Sequence, residues 1–433
     1  MSDGRLPRRI GLVGAIALSF NGAVAASIFA LPATLAGDFG AFSPLMFPIV
    51  AFAALLIIIP FSWSASAFTQ SGGPAAYGAV YGRLVGFELG WIYYVARTAA
   101  FAANANVLTD YTARWITGAD AGLMRAAILI AVTGLFAAIN ISGVRRSIGL
   151  LTGLTVLKAV PLFIAAAVAI ALTMPWPAPN PVPTLTEFET GLLIVLYAFV
   201  GFEQVVVPAG ETKNSASVLP RAIFITIGVT TLLYFLVQLA VVSALPGVAA
   251  GEKAPLIDLG AWLAGPFGAA ALMLTAMASL AGSLHGIMTS TPRVSYALAT
   301  RNDLPAWFGR VHERFETPAN SILFFAILAA ALAISGSFVW LAVVSTLARM
   351  FVYSISIASL AKGERPSPLV WAMMAAAIAV CVWAASQSSW PSWRMLLILV
   401  AVGTALYAAA RVSAARAAKV SSIQPPPSTR EPS

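Results

Sequence analysis

The stretch FVGFEQVVVPAGETKNSASVLPR, residues 199–221, decides how the chain is read. It begins inside an apolar segment, yet Gly201, Glu203, Pro208 and Gly210 follow one another closely. A lipid-facing helix tolerates neither an ionised carboxylate nor a backbone loosened by glycine and proline. Each polar group left unsatisfied in hydrocarbon costs several kcal/mol. An interrupted helix lining a cavity tolerates both, and secondary transporters build substrate sites from such helices near the bilayer midplane. The stretch therefore predicts a second break elsewhere in the chain.

Composition points the same way. The 433 residues are 60% hydrophobic and 9% charged, with a mean hydropathy of +0.88. A soluble domain carries roughly 25% charged residues, so the expected fold is an all-α polytopic membrane protein. One cysteine, Cys381, excludes a disulfide or cysteine-metal framework, and His285 and His312 make no metal cluster by themselves. No nucleotide-binding loop or nucleophilic triad is visible, so neither an enzyme nor a cofactor or metal is expected. Energy for transport would come from an ion gradient or from exchange.

With about 20 residues as the length of a membrane helix, hydropathy gives about twelve transmembrane helices. These spans are 10–36, 42–68, 84–111, 122–142, 147–173, 189–210, 219–245, 265–291, 317–335, 337–361, 367–386 and 392–411. The net charge of +9 would suggest nucleic acid in a soluble protein, but its distribution fits the positive-inside rule. If residues 1–9 are cytoplasmic, 18 of the 25 Lys and Arg fall in cytoplasmic segments and only Arg114, Arg125, Lys253 and Arg394 outside. Both termini are thus expected in the cytoplasm of a multi-pass cell-membrane protein. The proline-rich end, SSIQPPPSTREPS, belongs to an expected disordered tail over 412–433.

The second break is sought in SFNGAVAASIFALP, residues 19–32 of span 1. Asn21, Gly22, Ser27 and three alanines there suit an unwound stretch whose amides face an anionic ligand. They equally suit a helix packed closely through small residues. Position favours the break. Spans 1 and 6 stand five apart, as expected if 10–173 and 189–361 are five-span repeats followed by two additional spans over 367–411. An odd number of spans per repeat makes the repeats inverted.

Five pieces in this order resemble the amino acid–polyamine–organocation (APC) superfamily of secondary transporters. They are SIFALPATLA in span 1, SGGPAAYGAVYGRLVGFELGW before and into span 3, and FVGFE with ETKNSASVLPRAI around span 6. AGSLHGIMTSTPRVSYALATRNDLP at span 8 and ETPANSI before span 9 complete the set. The resemblance implies a five-plus-five inverted-repeat fold with interrupted helices 1 and 6, and transport of amino acids or related amines. Two positions depart from the family. Its Gly-Ser-Gly, whose amides and hydroxyl hold a substrate carboxylate, reads Ala25-Ala26-Ser27 here, and His285 stands where many members have asparagine. Alanine favours helix over glycine by up to ~1 kcal/mol per residue.

The deep ionisable residues have two readings each. Lys158 lies twelve residues beyond Arg146, about 18 Å into span 5 at about 1.5 Å per residue. That depth calls for a partner or a function. In the resemblance, some members carry a lysine here in place of a bound sodium ion, where desolvation lets it release a proton during transport. The alternative is a permanently charged lysine capped by carbonyls of spans 1 and 8. Glu203 either carries a proton or holds the broken helix to its neighbours. Arg97 and Arg349, both near mid-membrane, can pair with Glu203 or bind a substrate carboxylate. His285 can titrate near neutral pH or simply pack.

Two cytoplasmic segments suggest gating. SGGPAAYGAVYGRLVG resembles the family's inner-gate helix, and Glu211, Lys213 and Arg221 can close the inner path through ion pairs. The expected substrate site comprises Ala23, Ala26, Ser27 and Ile28 of span 1 and the backbone at Phe199, Gly201 and Phe202, with Arg97 beside it. Phe199 or Phe202 would act as an aromatic lid, and Lys158 and Glu203 would couple transport to protons. The expected partners are a small-molecule amino acid or amine, protons and the lipid bilayer, with no nucleic acid. An exchanger or exporter, and a transport-fold sensor, are the other readings.

Overall fold

A backbone crossing hydrocarbon must satisfy its own N–H and C=O groups, so the apolar runs become helices. The structure is a computed structural model that describes residues 10–67, 73–142, 148–206, 212–248, 251–315, 317–362 and 366–421. Among these residues the only β pairing is one bridge between Ile10 and Thr212. The helices of the first half are α1 (Leu12–Ala23), α2 (Ser27–Phe39), α3 (Ser43–Ala67), α4 (Pro74–Gly78), α5 (Arg83–Ala113), α6 (Gly122–Ile141) and α7 (Ile148–Leu172). The second half contains α8 (Leu185–Tyr197), α9 (Ser215–Ala244), α10 (Pro255–Ser290), α11 (Pro292–Thr300), α12 (Ala319–Ser335) and α13 (Phe338–Ala358). Two more, α14 (Pro368–Ser386) and α15 (Trp390–Ser421), follow. Nine segments among the described residues are long and apolar enough to cross a membrane, and α1 and α12 are shorter apolar helices. The chain is a polytopic membrane protein of about twelve spans.

Spans 1 and 6 are both interrupted. The first runs as α1, a non-helical turn at residues 24–26, then α2. The second runs as α8, a turn at residues 198–201, then a 3-10 helix, Phe202–Val206. A short helix also precedes the third span of each half. In the first half it is α4. In the second it is the opening of α10, set off by a bend at Ala264 (φ −147) and Gly265 (φ +59). These two short helices lie at opposite ends of the bundle, because α5 meets one end at each of its termini. Gly78 of α4 packs against Val85 and Gly86 near the start of α5, and Arg114 just past its end bonds Asp258 near the start of α10. This is the arrangement that inverted repeats predict.

Residues 89–111 of α5 are all buried, which makes it the central helix, packed most extensively against α13. By contrast α6, α14 and α15 leave apolar side chains such as Leu135, Val382 and Leu397 exposed, as lipid-facing helices do. One boundary differs from expectation. Residues 412–421, assigned above to a disordered tail, continue α15 to Ser421. The run RVSAARAAKV is rich in good helix formers and has no breaker before Pro425. Residues 1–9, 422–433 and Glu211 lie outside the described residues. Lys213 and Arg221 form no ion pair among the described residues; at that end the recorded pair is Arg83 with Asp303, at 2.6 Å.

Candidate substrate site

The two breaks touch each other. A Cβ built on Gly22 would lie 2.1 Å from the carbonyl oxygen of Gly201, and one built on Gly201 would lie 2.1 Å from that of Gly22. Gly201 also has φ +104, a backbone region that disfavours L side chains. Both glycines are needed for the contact. Ser19 of α1 donates to the Phe202 carbonyl at 3.2 Å, tying the first break to the second.

Breaking a helix frees backbone groups, and here side chains from other helices take them up. Lys158 of α7, 1% exposed, donates from Nζ to the Val24 carbonyl at 2.8 Å. One turn earlier on the same helix, Thr155 Oγ1 accepts from Asn21 Nδ2. The Tyr234 hydroxyl of α9 bonds the Ser27 hydroxyl and reaches the Ala23 carbonyl at 3.5 Å. Amides at the start of α2 keep their usual lack of backbone acceptors. Those of Ala25 and Ala26, just before it, donate to no carbonyl among the described residues, giving the break a positive end.

At the second break Glu203 is fully engaged. Its Oε1 accepts from Arg349 Nε at 2.9 Å, and its Oε2 accepts from the Tyr353 hydroxyl at 2.9 Å and from the Gly201 amide at 2.7 Å. The pair is sealed from solvent, with Arg349 1% and Glu203 0% exposed. Glu203 thus ties the broken helix to α13. Arg97 of α5 is different. It is 2% exposed, and its Nε and Nη2 have no hydrogen-bond partner among the described residues.

A small cavity of about 30 Å³ lies where these elements meet, room for about two waters. Asn21, Gly22, Ala23, Ala25 and Ser27 line it from the first break, and Tyr197, Val200 and Gln204 from the second. Arg97, Ala100 and Asn104 of α5 form another wall, and Gly282, Ser283, Gly286 and Ile287 of α10 a further one, with Arg349 from α13. Of the residues expected at the site, Ala23, Ser27 and Arg97 are in this lining. Ala26, Ile28, Phe199 and Phe202 are buried outside it. The Phe202 ring packs on Phe61 and Tyr353, each at 5.5 Å between centroids, and Phe199 packs toward Tyr234 at 6.5 Å. Gly201 contributes through its contact with Gly22. His285 turns to α6, beside Phe136 and 3.5 Å from Asn140.

Several lining residues were not singled out from sequence. Asn104 follows Arg97 by seven positions, two helical turns on the same face, and that spacing was a usable signal. Gly282 and Gly286 are likewise one turn apart, and the Gln204 Nε2 lies 3.6 Å from a Cβ built on Gly286. Tyr197 and Gln204 flank the break in span 6 without any pattern of their own.

The profile of the amino acid permease family matches residues 10–386. The branched-chain amino acid permease BcaP of Bacillus subtilis is 26% identical over 93% of this chain and 92% of its own length. The serine/threonine exchanger SteT of the same species is 27% identical over 74% of this chain and 75% of its own. An uncharacterized transporter of Mycobacterium tuberculosis is 28% identical over 76% of this chain and 74% of its own. With a match from the start of span 1 through span 11, the chain belongs to the amino acid permease family of the APC superfamily.

Proposed function

We propose that the protein is a secondary active transporter that moves an amino acid across the cell membrane by alternating access, coupled to protons through Lys158. The observation that carries this reading is the meeting of two interrupted helices at Gly22 and Gly201 beside a cavity with an unpaired buried guanidinium. In the resemblance, the span-1 break holds the substrate carboxylate on free amides. Ala25, in the cavity lining, presents such an amide. Lys158 occupies the position the resemblance gives to a sodium ion, with its ammonium on the Val24 carbonyl. A fixed cation there removes the need for sodium, and its deprotonation would let the break relax. Both termini lie in the cytoplasm on this reading.

Similarity to a serine/threonine exchanger favours a second reading, in which one amino acid leaves as another enters and no net proton moves. Concentrative uptake into proteoliposomes separates the two. We expect accumulation without sodium that rises with an inward proton gradient, and Lys158→Ala to abolish the gradient-driven part while sparing counterflow. Strict sodium dependence, or full proton-driven accumulation by Lys158→Ala, contradicts the coupling role. Uptake only against a preloaded amino acid makes the protein an exchanger.

A further inference from the structure

We infer that the substrate is an acidic amino acid, with Arg97 receiving its side-chain carboxylate. This rests on the permease reading and narrows it to a charge class.

Two guanidinium groups, Arg97 and Arg349, line the cavity, and the recorded carboxylate nearby is Glu203. Both oxygens of Glu203 are already occupied, by Arg349, Tyr353 and the Gly201 amide. Arg349 is thereby neutralised, and it also donates to Ser345 on its own helix. Arg97 feels the Glu203 charge at longer range but has no ion pair within 4 Å among the described residues. A buried guanidinium without hydrogen bonds is costly, and a ligand carboxylate would supply them. The wall of the cavity therefore carries an uncompensated positive charge before any substrate arrives.

The first break is a second anion-receptive element. The amides of Ala25 and Ala26, which donate to no carbonyl among the described residues, lie just before α2, a helix of 13 residues whose positive end is here. A zwitterion has one carboxylate, and it can satisfy either the break or Arg97. An acidic amino acid has two. Its α-carboxylate suits the amides of the break, and its second carboxylate suits the planar fork of Arg97, which favours bidentate pairing. The substrate ammonium then meets Asn104 Oδ1 and Ser283 Oγ, polar atoms of lining residues that have no partner among the described residues. Net charge also balances: a substrate of charge −1 neutralises Arg97, whereas a neutral zwitterion leaves the site positive.

The test is uptake of labelled aspartate and labelled serine by the full chain in proteoliposomes, each competed by aspartate, glutamate, serine, leucine, lysine and succinate. Aspartate or glutamate should compete at least tenfold more effectively than serine or leucine. Arg97→Gln should reduce this preference at least tenfold, and Arg97→Lys should retain part of it. Size-exclusion profiles identify a variant that fails to fold, and the wild-type competition series then decides alone. Serine uptake unaffected by either acidic amino acid overturns the acidic preference while leaving the permease reading intact. Succinate competing as well as aspartate overturns the amino acid part of the assignment. An unchanged preference in folded Arg97→Gln removes Arg97 from the selection. No uptake of any amino acid by the folded protein overturns both readings.

Discussion

Glu203 illustrates how one side chain can be required by its surroundings rather than by the substrate. Its partners come from its own break and from two positions of α13, one helical turn apart. Removing the carboxylate would leave Arg349 charged, buried and without its counter-ion, and such losses typically cost about 3–5 kcal/mol. Glu203→Gln should therefore lower the unfolding temperature in detergent markedly. The double variant Glu203→Gln/Arg349→Met, which removes both charges, should recover much of the loss. If the single variant unfolds at the wild-type temperature, the pair is not holding the break. Lys158 presents the opposite case: it bonds one recorded carbonyl, Val24, and has no carboxylate in an ion pair with it among the described residues. Its depth was legible in the sequence because its distance from Arg146 converts directly into ångströms along a helix. The pairing of Glu203 with Arg349 rather than Arg97 was not, because 146 residues separate the partners.

At the level of elements, the contact between the two broken spans is the joint on which the site depends. Gly201→Ala would place a methyl group 2.1 Å from the Gly22 carbonyl oxygen and hold a side chain at φ +104. The neighbours at that point are backbone, so relief requires the spans to separate. We expect folded Gly201→Ala to lose substrate binding and Gly22→Ala to behave alike. Gly228 in α9 is the control, since a Cβ there meets nothing within 4 Å. Gly228→Ala should keep binding and gain up to about 1 kcal/mol from helix propensity. Binding measured on all three purified variants checks this, and wild-type affinity in Gly201→Ala would mean that the breaks need not touch. The other element worth attention is the network at the far end of α5. Arg125 bonds Asp110 at 2.5 Å and Asn106 at 2.6 Å, while Arg114 bonds Asp258, joining α5, α6 and α10.

For the whole molecule, orientation in the membrane is the quantity that charge distribution predicts. Cys381 is the only cysteine and is buried, so single cysteines can be placed on a quiet background. Thr117, exposed in the turn after α5, should become accessible to a membrane-impermeant thiol reagent from outside intact cells as Thr117→Cys. Glu313, exposed between α11 and α12, should react as Glu313→Cys only after permeabilisation. The reverse pattern would invert the topology and place the basic ends of the helices outside. The number and order of spans were readable because each needs a long apolar run, a property of local sequence. Their ends were readable less well. Span 8 gains the opening turns of α10 beyond a bend, and span 12 continues to Ser421.

What the sequence determined by itself was the membrane class, the order of the helices and the break in span 6. Those follow from hydropathy and from glycine, each local in origin. The break in span 1 was expected from its five-span spacing to span 6, not from local propensity. Ala25 and Ala26 favour continued helix, so local propensity argued against unwinding there. It is the assembled bundle that stabilises the turn: Lys158 takes the freed Val24 carbonyl, Tyr234 holds Ser27, and Gly201 presses on Gly22. The same holds for Arg97. Sequence places a cation at mid-membrane, but only the folded structure shows that Glu203 pairs with Arg349 and that Arg97 Nε and Nη2 have no hydrogen-bond partner among the described residues. Hydrogen bonds and ion pairs between distant residues exist only once the chain has folded, and here they set which buried charge is paired and which is not.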